Sequence, residues 1–126
     1  MTIQEAIDLT DRMKPNMMDR RDKIKYLSIL DGMIHWEIRM KHEHTEEEEV
    51  CPDYDRDTDP GTVLLVPSPY AEDLYTHWLM SKIDLLNREE INYNNDRVLF
   101  ENAYENMSAW WTRTKMPISP KPQLSI

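Results

Sequence analysis

Apolar side chains recur at helical spacing in four stretches of the chain, which polar or proline-containing segments separate. The most regular stretch covers residues 90–114, with steps alternating between four and three residues at Tyr93, Arg97, Phe100, Tyr104, Met107 and Trp111. The other stretches predict helices at 3–13, 19–42 and 69–87. Glycine occurs only twice, which disfavours the many tight turns of a sandwich or barrel. The pattern therefore predicts an all-α fold, a small bundle of about four helices.

Local signals predict where these helices begin and end. Thr2 and Glu5 form a capping box for the first helix. Ser68 can cap the third helix, with Pro69 at its first position. The predicted buried side of the third helix is Leu74, Tyr75, Trp78, Leu79, Ile83 and Leu86. The short link to the fourth helix predicts an antiparallel hairpin.

The second predicted helix has two adjacent apolar faces. One face is Ile24, Leu27, Leu30 or Asp31, Ile34 and Ile38, and the other is Tyr26, Ile29, Met33, Trp36 and Met40. A helix that is apolar over so wide an arc must be covered on more than one side. The second face therefore packs either inside the bundle or against a neighbouring subunit, and the sequence leaves both possibilities open.

Two segments lack helical periodicity. Residues 43–61 are rich in Asp and Glu and contain two prolines, which predicts a long, mobile acidic loop. Residues 62–66 (Thr-Val-Leu-Leu-Val) predict the single short β-strand that the fold admits. Its partner would be the extended flank of the acidic loop or another copy of the protein.

The end of the sequence is rich in proline, at Pro117, Pro120 and Pro122. Proline forbids a helix and favours an extended segment. We therefore divide the chain into a single helical domain at 1–116, including the acidic loop, and an extended tail at 117–126. The tail is either a loose end or a segment that docks in a groove.

Charge and composition exclude several classes of partner. The net charge of −9 disfavours direct, sequence-specific binding of nucleic acid and binding to an anionic membrane surface. The acidic residues near Met1 do not fit a signal peptide, and no apolar run reaches membrane-spanning length. A single cysteine, Cys51, cannot form an intramolecular disulfide. We expect a soluble protein that is made inside the cell.

The candidate chemistry of the sequence is weak. His42 and His44 stand among glutamates, but their spacing matches no zinc pattern. The aspartates of residues 53–59 lack the glycine and the closing glutamate of a calcium loop. Carboxylate neighbours raise a thiol pKa, which is the wrong direction for a nucleophilic Cys51. We expect no metal, no cofactor and no enzymatic activity.

Exposed apolar and aromatic residues are more promising as contacts with other proteins. Trp and Tyr are enriched at interface hot spots, and two adjacent tryptophans cannot both point into the core from one helix. The candidate interface residues are Tyr26, Met33, Trp36, Met40, Trp110, Trp111, Pro117, Ile118, Pro120, Pro122, Leu124 and Ile126.

One half of the sequence carries a family resemblance. The pattern comprises Leu64-Leu65-Val66-Pro67-Ser68-Pro69-Tyr70, Asp73-Leu74-Tyr75, Trp78-Leu79, Ile83-Asp84, Asn87, Tyr93-Asn94-Asn95, Phe100, Ala103-Tyr104, and Trp111 before Arg113. It resembles the head–tail connector proteins of tailed bacteriophages, also called adaptors or head-completion proteins. The resemblance covers residues 62–117 and consists of aromatic, Asn and Pro positions, with no catalytic signature.

The resemblance implies a structural protein of the phage virion, located at the head–tail junction and made in the host cytoplasm. Such subunits form a closed ring beneath the portal, extend the DNA channel and dock the tail-side connector, or stopper. The implied partners are therefore the portal protein, the stopper and further copies of the chain. An extended C-terminal segment often reaches the portal in such families, and the tail here is similar in character.

Two other functions fit the residues. An acidic inhibitor that mimics DNA would occupy a nucleic-acid-binding protein with a folded array of carboxylates. A small enzyme without a recognisable motif would need a pocket around a residue such as His77.

Overall fold

A computed structural model describes residues 1–118, and these residues form a helical bundle. The α-helices are α1 (Ile3–Met13), α2 (Arg20–Glu37), α3 (Tyr70–Asn87) and α4 (Glu90–Thr114). Short 3-10 turns follow at Arg39–Lys41 and Glu47–Glu49. The predicted all-α fold is confirmed. Most of the predicted tail, residues 119–126, lies outside the described residues.

Helix α3 lies at the centre of the bundle and contacts each of the other three helices. Its side chains are buried on several sides, which explains its high apolar content. Trp78 packs against Phe100 of α4, with ring centroids 5.0 Å apart. The largest fully buried side chains are Tyr75, Ile3, Ile24, Leu27, Leu30, Ile34, Leu74, Leu79, Ile83, Met107, His35 and Val66. The predicted hairpin is confirmed, since α3 and α4 are joined only through Arg88 and Glu89.

The N-terminus of α1 is capped as predicted. The Glu5 amide donates to Thr2 Oγ1 at 3.1 Å, and the Thr2 amide donates to the Glu5 carboxylate at 3.3 Å. The same region pairs with the segment after the acidic loop. The Ile3 amide donates to the Thr62 carbonyl at 3.0 Å, and the Leu64 amide donates to the Met1 carbonyl at 2.9 Å.

This pairing corrects the prediction for residues 62–66. They form no strand but only an isolated antiparallel bridge between Val63 and Thr2. The partner is the N-terminus of the same chain, and neither the loop flank nor another copy is needed. The pairing stays short because α1 begins at Ile3, and only the free first-turn amides of Ile3 and Gln4 reach carbonyls of this segment, those of Thr62 and Pro60.

Helix α2 is shorter than predicted, because residues 38–42 leave the α-helical path. The Arg39 guanidinium folds back to donate to His35 Nδ1 at 3.1 Å and also to the Val50 carbonyl at 3.0 Å. His42 then adopts an extended conformation and pairs with Pro117. The helical prediction for 38–42 was therefore wrong, since contacts distant in sequence outweigh local periodicity.

The predicted cap of α3 is also different. The Ser68–Pro69 peptide is cis, and Pro69 itself occupies the N-cap position. The amides of Tyr70 and Ala71 donate to the Pro67 carbonyl, both at 3.1 Å. The Ser68 hydroxyl donates to the Glu72 carboxylate instead of capping the backbone.

The acidic segment 43–61 is a loop, as predicted, but it is not open along its whole length. Tyr54 is buried: its amide donates to Ser28 Oγ at 2.9 Å, and its hydroxyl donates to Asp31 at 2.7 Å. The expectation of a mobile loop therefore fails around Tyr54, where the loop is fastened to α2.

Asp31 is the centre of this attachment. Its buried carboxylate accepts hydrogen bonds from the Tyr54 hydroxyl at 2.7 Å, the Tyr75 hydroxyl at 2.6 Å and the Leu65 amide at 3.0 Å. Tyr75 in turn accepts from the Val66 amide at 3.0 Å. Burial raises the pKa of Asp31, and these donors oppose that rise. The network joins α2, α3 and two points of the segment that connects them, Tyr54 and residues 65–66.

We predict that Asp31→Asn lowers the free energy of unfolding by about 2–3 kcal/mol, because a buried donor loses its charged acceptor. Urea unfolding followed by circular dichroism measures the change. Asp57→Asn, an exposed loop substitution, is the matched control and should stay within about 0.5 kcal/mol of the wild type. Equal stabilities for the two variants would contradict the role assigned to Asp31.

Candidate interaction surfaces

An apolar stripe along α2 is the main candidate surface, and it faces solvent. We call it the α2 stripe and define it as Tyr26, Ile29, Met33, Trp36 and Met40. Ile29, Met33 and Trp36 are 42%, 37% and 60% exposed, while Tyr26 and Met40 are half-buried. The alternating steps of three and four residues place the first four on one side of the helix, and Met40 lies in the 3-10 turn that follows it. The bundle therefore leaves the second apolar face of α2 uncovered within residues 1–118.

Other segments border the α2 stripe on both sides. On one side the acidic loop lies against α2, where Ser28 Oγ donates to Asp53 at 3.2 Å. On the other side the Tyr104 hydroxyl of α4 donates to Glu37 at 2.7 Å. Lys82 of α3 lies 5.7 Å from the centre of the Tyr26 ring. The stripe is thus an apolar strip between polar borders, which is typical of a protein-binding surface.

The two adjacent tryptophans separate, as their spacing predicted. Trp111 is buried in the core at 6% exposure, so its assignment to an exposed interface is corrected. Its position continues the core-facing series Phe100, Tyr104 and Met107 of α4. Trp110 is half-buried and stacks on Tyr70, with ring centroids 5.3 Å apart. Of the pair, only Trp110 is partly exposed to solvent.

The start of the tail is held next to α2. Pro117 pairs with His42 in an antiparallel bridge, and the Ile118 amide donates to the Lys41 carbonyl at 2.8 Å. Both residues are exposed. The other predicted contacts of the tail, Pro120, Pro122, Leu124 and Ile126, lie outside the described residues.

A second apolar surface, which the sequence reasoning missed, lies at the turn between α3 and α4. We call it the hairpin tip and define it as Leu85, Leu86 and Ile91, which are 51%, 59% and 78% exposed. The prediction that Leu86 belongs to the buried side of α3 is therefore wrong. Nothing within residues 1–118 covers the last turn of α3 on that side, so helical spacing alone could not reveal its exposure.

A cluster of charged groups lies beneath the hairpin tip. The Lys14 ammonium donates to Asp84 and, at 2.7 Å, to Glu89. Asp84 is fully buried, and Asp96 of α4 is 8% exposed. His77 Nδ1 lies 3.4 Å from Asp96 Oδ1. Burial and the neighbouring Asp84 carboxyl raise the pKa of Asp96 to about 7, and burial lowers the pKa of His77.

The two histidines near the start of the acidic loop serve the fold. His42 Nδ1 donates to the Ile38 carbonyl at 2.7 Å, and its Nε2 lies 3.2 Å from the Thr112 hydroxyl. His44 Nδ1 donates to the His42 carbonyl at 2.7 Å. Among residues 1–118, no group of three His, Cys, Asp or Glu side chains is arranged to hold a metal ion. Cys51 is half-buried, and its thiol donates weakly to the Pro52 carbonyl at 3.6 Å.

Comparisons of the chain with protein-family models, with curated proteins and with solved structures find no match. Across the part of the chain that the structure describes, no helix combines the length and the apolar character needed to cross a membrane.

The charged cluster predicts a pH-dependent stability. The pKa of Asp96 is about 7 in the folded protein and near 3.8 when unfolded, so the folded state binds the extra proton between these values. The contribution of Asp96 should therefore fall as pH rises from about 4 to about 7, by at most about 1.4 kcal/mol per pH unit. Asp96→Asn should remove this decline.

Urea unfolding of the wild type and Asp96→Asn across this pH range measures the difference between them. Because His77 is present in both proteins, the difference between their stabilities isolates the contribution of Asp96. The lowered pKa of His77 makes stability change with pH in the opposite direction. Asp57→Asn is the control and should follow the wild type at every pH. Parallel wild-type and Asp96→Asn curves would show that Asp96 does not titrate in this range.

Proposed function

We propose that the chain is a structural protein of a tailed-phage virion, a head–tail connector subunit that forms a ring under the portal. In this role it extends the DNA channel, docks the tail-side connector protein and performs no catalysis. The observation that supports the proposal most directly is the α2 stripe, an exposed apolar surface on a chain whose core is already filled. The resemblance of residues 62–117 to connector proteins supplies the identity of the partners.

The residues that carry the resemblance are mainly residues of the fold. Leu74, Trp78 and Leu79 of α3 are buried, as are Phe100 and Trp111 of α4. The resemblance therefore concerns the central α3–α4 hairpin and the way it is packed. A shared packing pattern is a reason to expect a shared subunit architecture, whereas a shared partner has to be tested.

The arrangement of the two apolar surfaces fits a ring. A closed ring with head-to-tail contacts needs two different surfaces on each subunit, so that one meets the other on the next copy. The α2 stripe and the hairpin tip belong to different elements and differ in shape and composition. We propose that they meet across the subunit interface, with Arg88 beside the tip near the acidic border of the stripe.

Charge explains why assembly would depend on the portal. With a net charge of −9, copies of the chain repel one another at low salt. Burying one Trp side chain contributes on the order of 1.5–3 kcal/mol, which is modest beside the cost of association. We therefore expect a monomer or weak oligomer in isolation and a ring on a preorganised portal.

An acidic subunit is also suited to a DNA channel. Exposed carboxylates at residues 46–49 and 53–59 would repel the phosphates of passing DNA and so avoid holding it. The DNA-mimic alternative uses the same carboxylates for the opposite purpose, since it would bind a DNA-binding protein through them.

The decisive test uses Trp36→Ser in an assembly reaction with portal-bearing, DNA-filled capsids. Because Trp36 is 60% exposed, its loss should leave the helical circular dichroism and the thermal midpoint nearly unchanged. Binding to the capsids should fall roughly tenfold or more, which corresponds to about 1.4 kcal/mol or more. Met17→Ser, which changes a 95% exposed residue outside both surfaces, is the matched control.

The outcomes separate the hypotheses. Absence of the wild-type chain from portal-bearing particles would refute the connector function. Normal binding by Trp36→Ser would retain the connector function and remove the α2 stripe from the interface. Competition between the chain and duplex DNA for a DNA-binding protein, without capsid binding, would favour the DNA mimic.

A further inference from the structure

The side of α4 that faces away from the core carries a second regular series of residues. They follow one another in alternating steps of four and three, which is the spacing of a heptad repeat. We call this series the α4 outer stripe and define it as Ile91, Asn95, Val98, Asn102, Glu105 and Ala109. All six residues are exposed, and Ile91 and Val98 are 78% and 56% exposed. The bundle therefore leaves this side of α4 uncovered within residues 1–118.

The composition of the outer stripe is not explained by the fold. The outward face of an amphipathic helix normally carries charged and polar residues, but Ile91 and Val98 are apolar and Glu105 is the one charge in the stripe. Asn95 and Asn102 are poor helix formers, so they do not serve the stability of α4. In paired helices, Asn at a contact position fixes the register at some cost in stability. The outer stripe therefore has the pattern of a helix-pairing face.

The charge of this surface permits contact between two copies. The whole chain has a net charge of −9. Between residues 91 and 109 the exposed charges are Arg97, Glu101 and Glu105, one positive against two negative, which gives a net charge of −1. Arg97 also pairs with Glu101 at 3.0 Å. Charges elsewhere are largely screened beyond about 8 Å at physiological ionic strength, so repulsion between copies is weak where they meet through α4.

The order of residues along the stripe selects an antiparallel pair. In a parallel pair Glu105 would lie beside Glu105 of the second copy, and like charges repel. In an antiparallel pair with its two-fold axis level with residue 100, Glu105 lies opposite Asn95 of the second copy. The Asn95 side-chain amide then donates a charge-assisted hydrogen bond to that carboxylate. Ile91 lies opposite Ala109, so a large side chain meets a small one.

The centre of the antiparallel pair is apolar. The Val98 residues of the two copies lie about 6 Å apart along the helices, at 1.5 Å per residue, on either side of the axis. Leu99, which is 46% exposed, lies on one flank and meets Leu99 of the second copy. On the other flank Glu101 keeps its partner Arg97. Apolar contacts at the axis and hydrogen bonds on both sides of it make the stripe complementary to itself.

We propose that two copies of the chain pair through their α4 outer stripes as an antiparallel, two-fold symmetric dimer. A two-fold contact needs one self-complementary surface on each copy, and the outer stripe supplies it. One helix face per copy buries less than the roughly 1,200 Å² of a stable interface, so the dimer is weak. The inference goes beyond the proposed function and does not rest on it. Because the dimer covers Ile91, the hairpin tip becomes free for other contacts only when the two copies separate.

Sedimentation equilibrium of the whole chain tests the contact. The wild type should show a monomer–dimer equilibrium that strengthens as salt is raised, because salt screens the repulsion between copies. Val98→Lys places two ammonium groups beside the axis and should raise the dissociation constant roughly tenfold or more. Met33→Lys, which adds the same charge to the α2 stripe, is the matched control and should dimerise like the wild type. Circular dichroism should give the same helix content for all three.

Disulfide trapping tests the orientation. Ile91→Cys and Ala109→Cys are prepared as separate chains, both with Cys51→Ser. In an antiparallel dimer the two thiols of either variant lie about 27 Å apart, so neither variant should crosslink with itself. An equimolar mixture should form the mixed disulfide under mild oxidation, because residue 91 of one copy lies opposite residue 109 of the other.

Four results would overturn the proposal. The first is a wild-type chain that stays monomeric up to about 1 mM. The second is loss of the dimer in Met33→Lys but not in Val98→Lys, which would move the contact to the α2 stripe. The third is crosslinking of each cysteine variant with itself and not in the mixture, which would show parallel pairing. The fourth is loss of the dimer in both lysine variants together with absence of the mixed disulfide.

Discussion

The buried carboxylate of Asp31 is the constraint on which the rest of the structure depends. A carboxylate inside a bundle is costly unless donors surround it, and here one amide and two phenolic hydroxyls do so. The donors come from the acidic loop, from the segment after it and from α3. Because the charge must be satisfied, these segments can adopt only arrangements that bring them to α2. The position of the loop, and with it one border of the α2 stripe, follows from this single group.

The sequence predicted the helices well because their apolar periodicity is strong. The capping box at Thr2 and Glu5 and the hairpin between α3 and α4 depend on neighbours in sequence, and both are confirmed. The end of α2 and the pairing of residues 62–64 with the N-terminus depend on contacts distant in sequence. Apolar periodicity carries no information about such contacts, and these are the places where the prediction was wrong.

The same contrast between local periodicity and contacts distant in sequence applies to the candidate surfaces. Two apolar faces on α2 were visible in the sequence, but only the packing of α3 shows which of them is left exposed. Asp31 fell within the core-facing series of α2, and a polar residue at such a position is a signal that buried partners exist. Trp111 could not be distinguished from Trp110 by composition. Its position on the Phe100, Tyr104 and Met107 series of α4 was the signal that it belonged to the core.

The two buried acidic sites differ in how completely their polar atoms are satisfied. Every oxygen of Asp31 has a donor, whereas Asp84 Oδ2 and His77 Nδ1 have no hydrogen-bond partner among the described residues. Donors surround the first site and fix α2 and the loop in place. At the second site the Lys14 ammonium pairs with Asp84 and Glu89, but the buried polar atoms around this pair are not all satisfied. Local opening concentrates where satisfied buried contacts are few. The hairpin tip is therefore the part of the bundle where we expect local opening first, while the donors around Asp31 hold α2 and the acidic loop together.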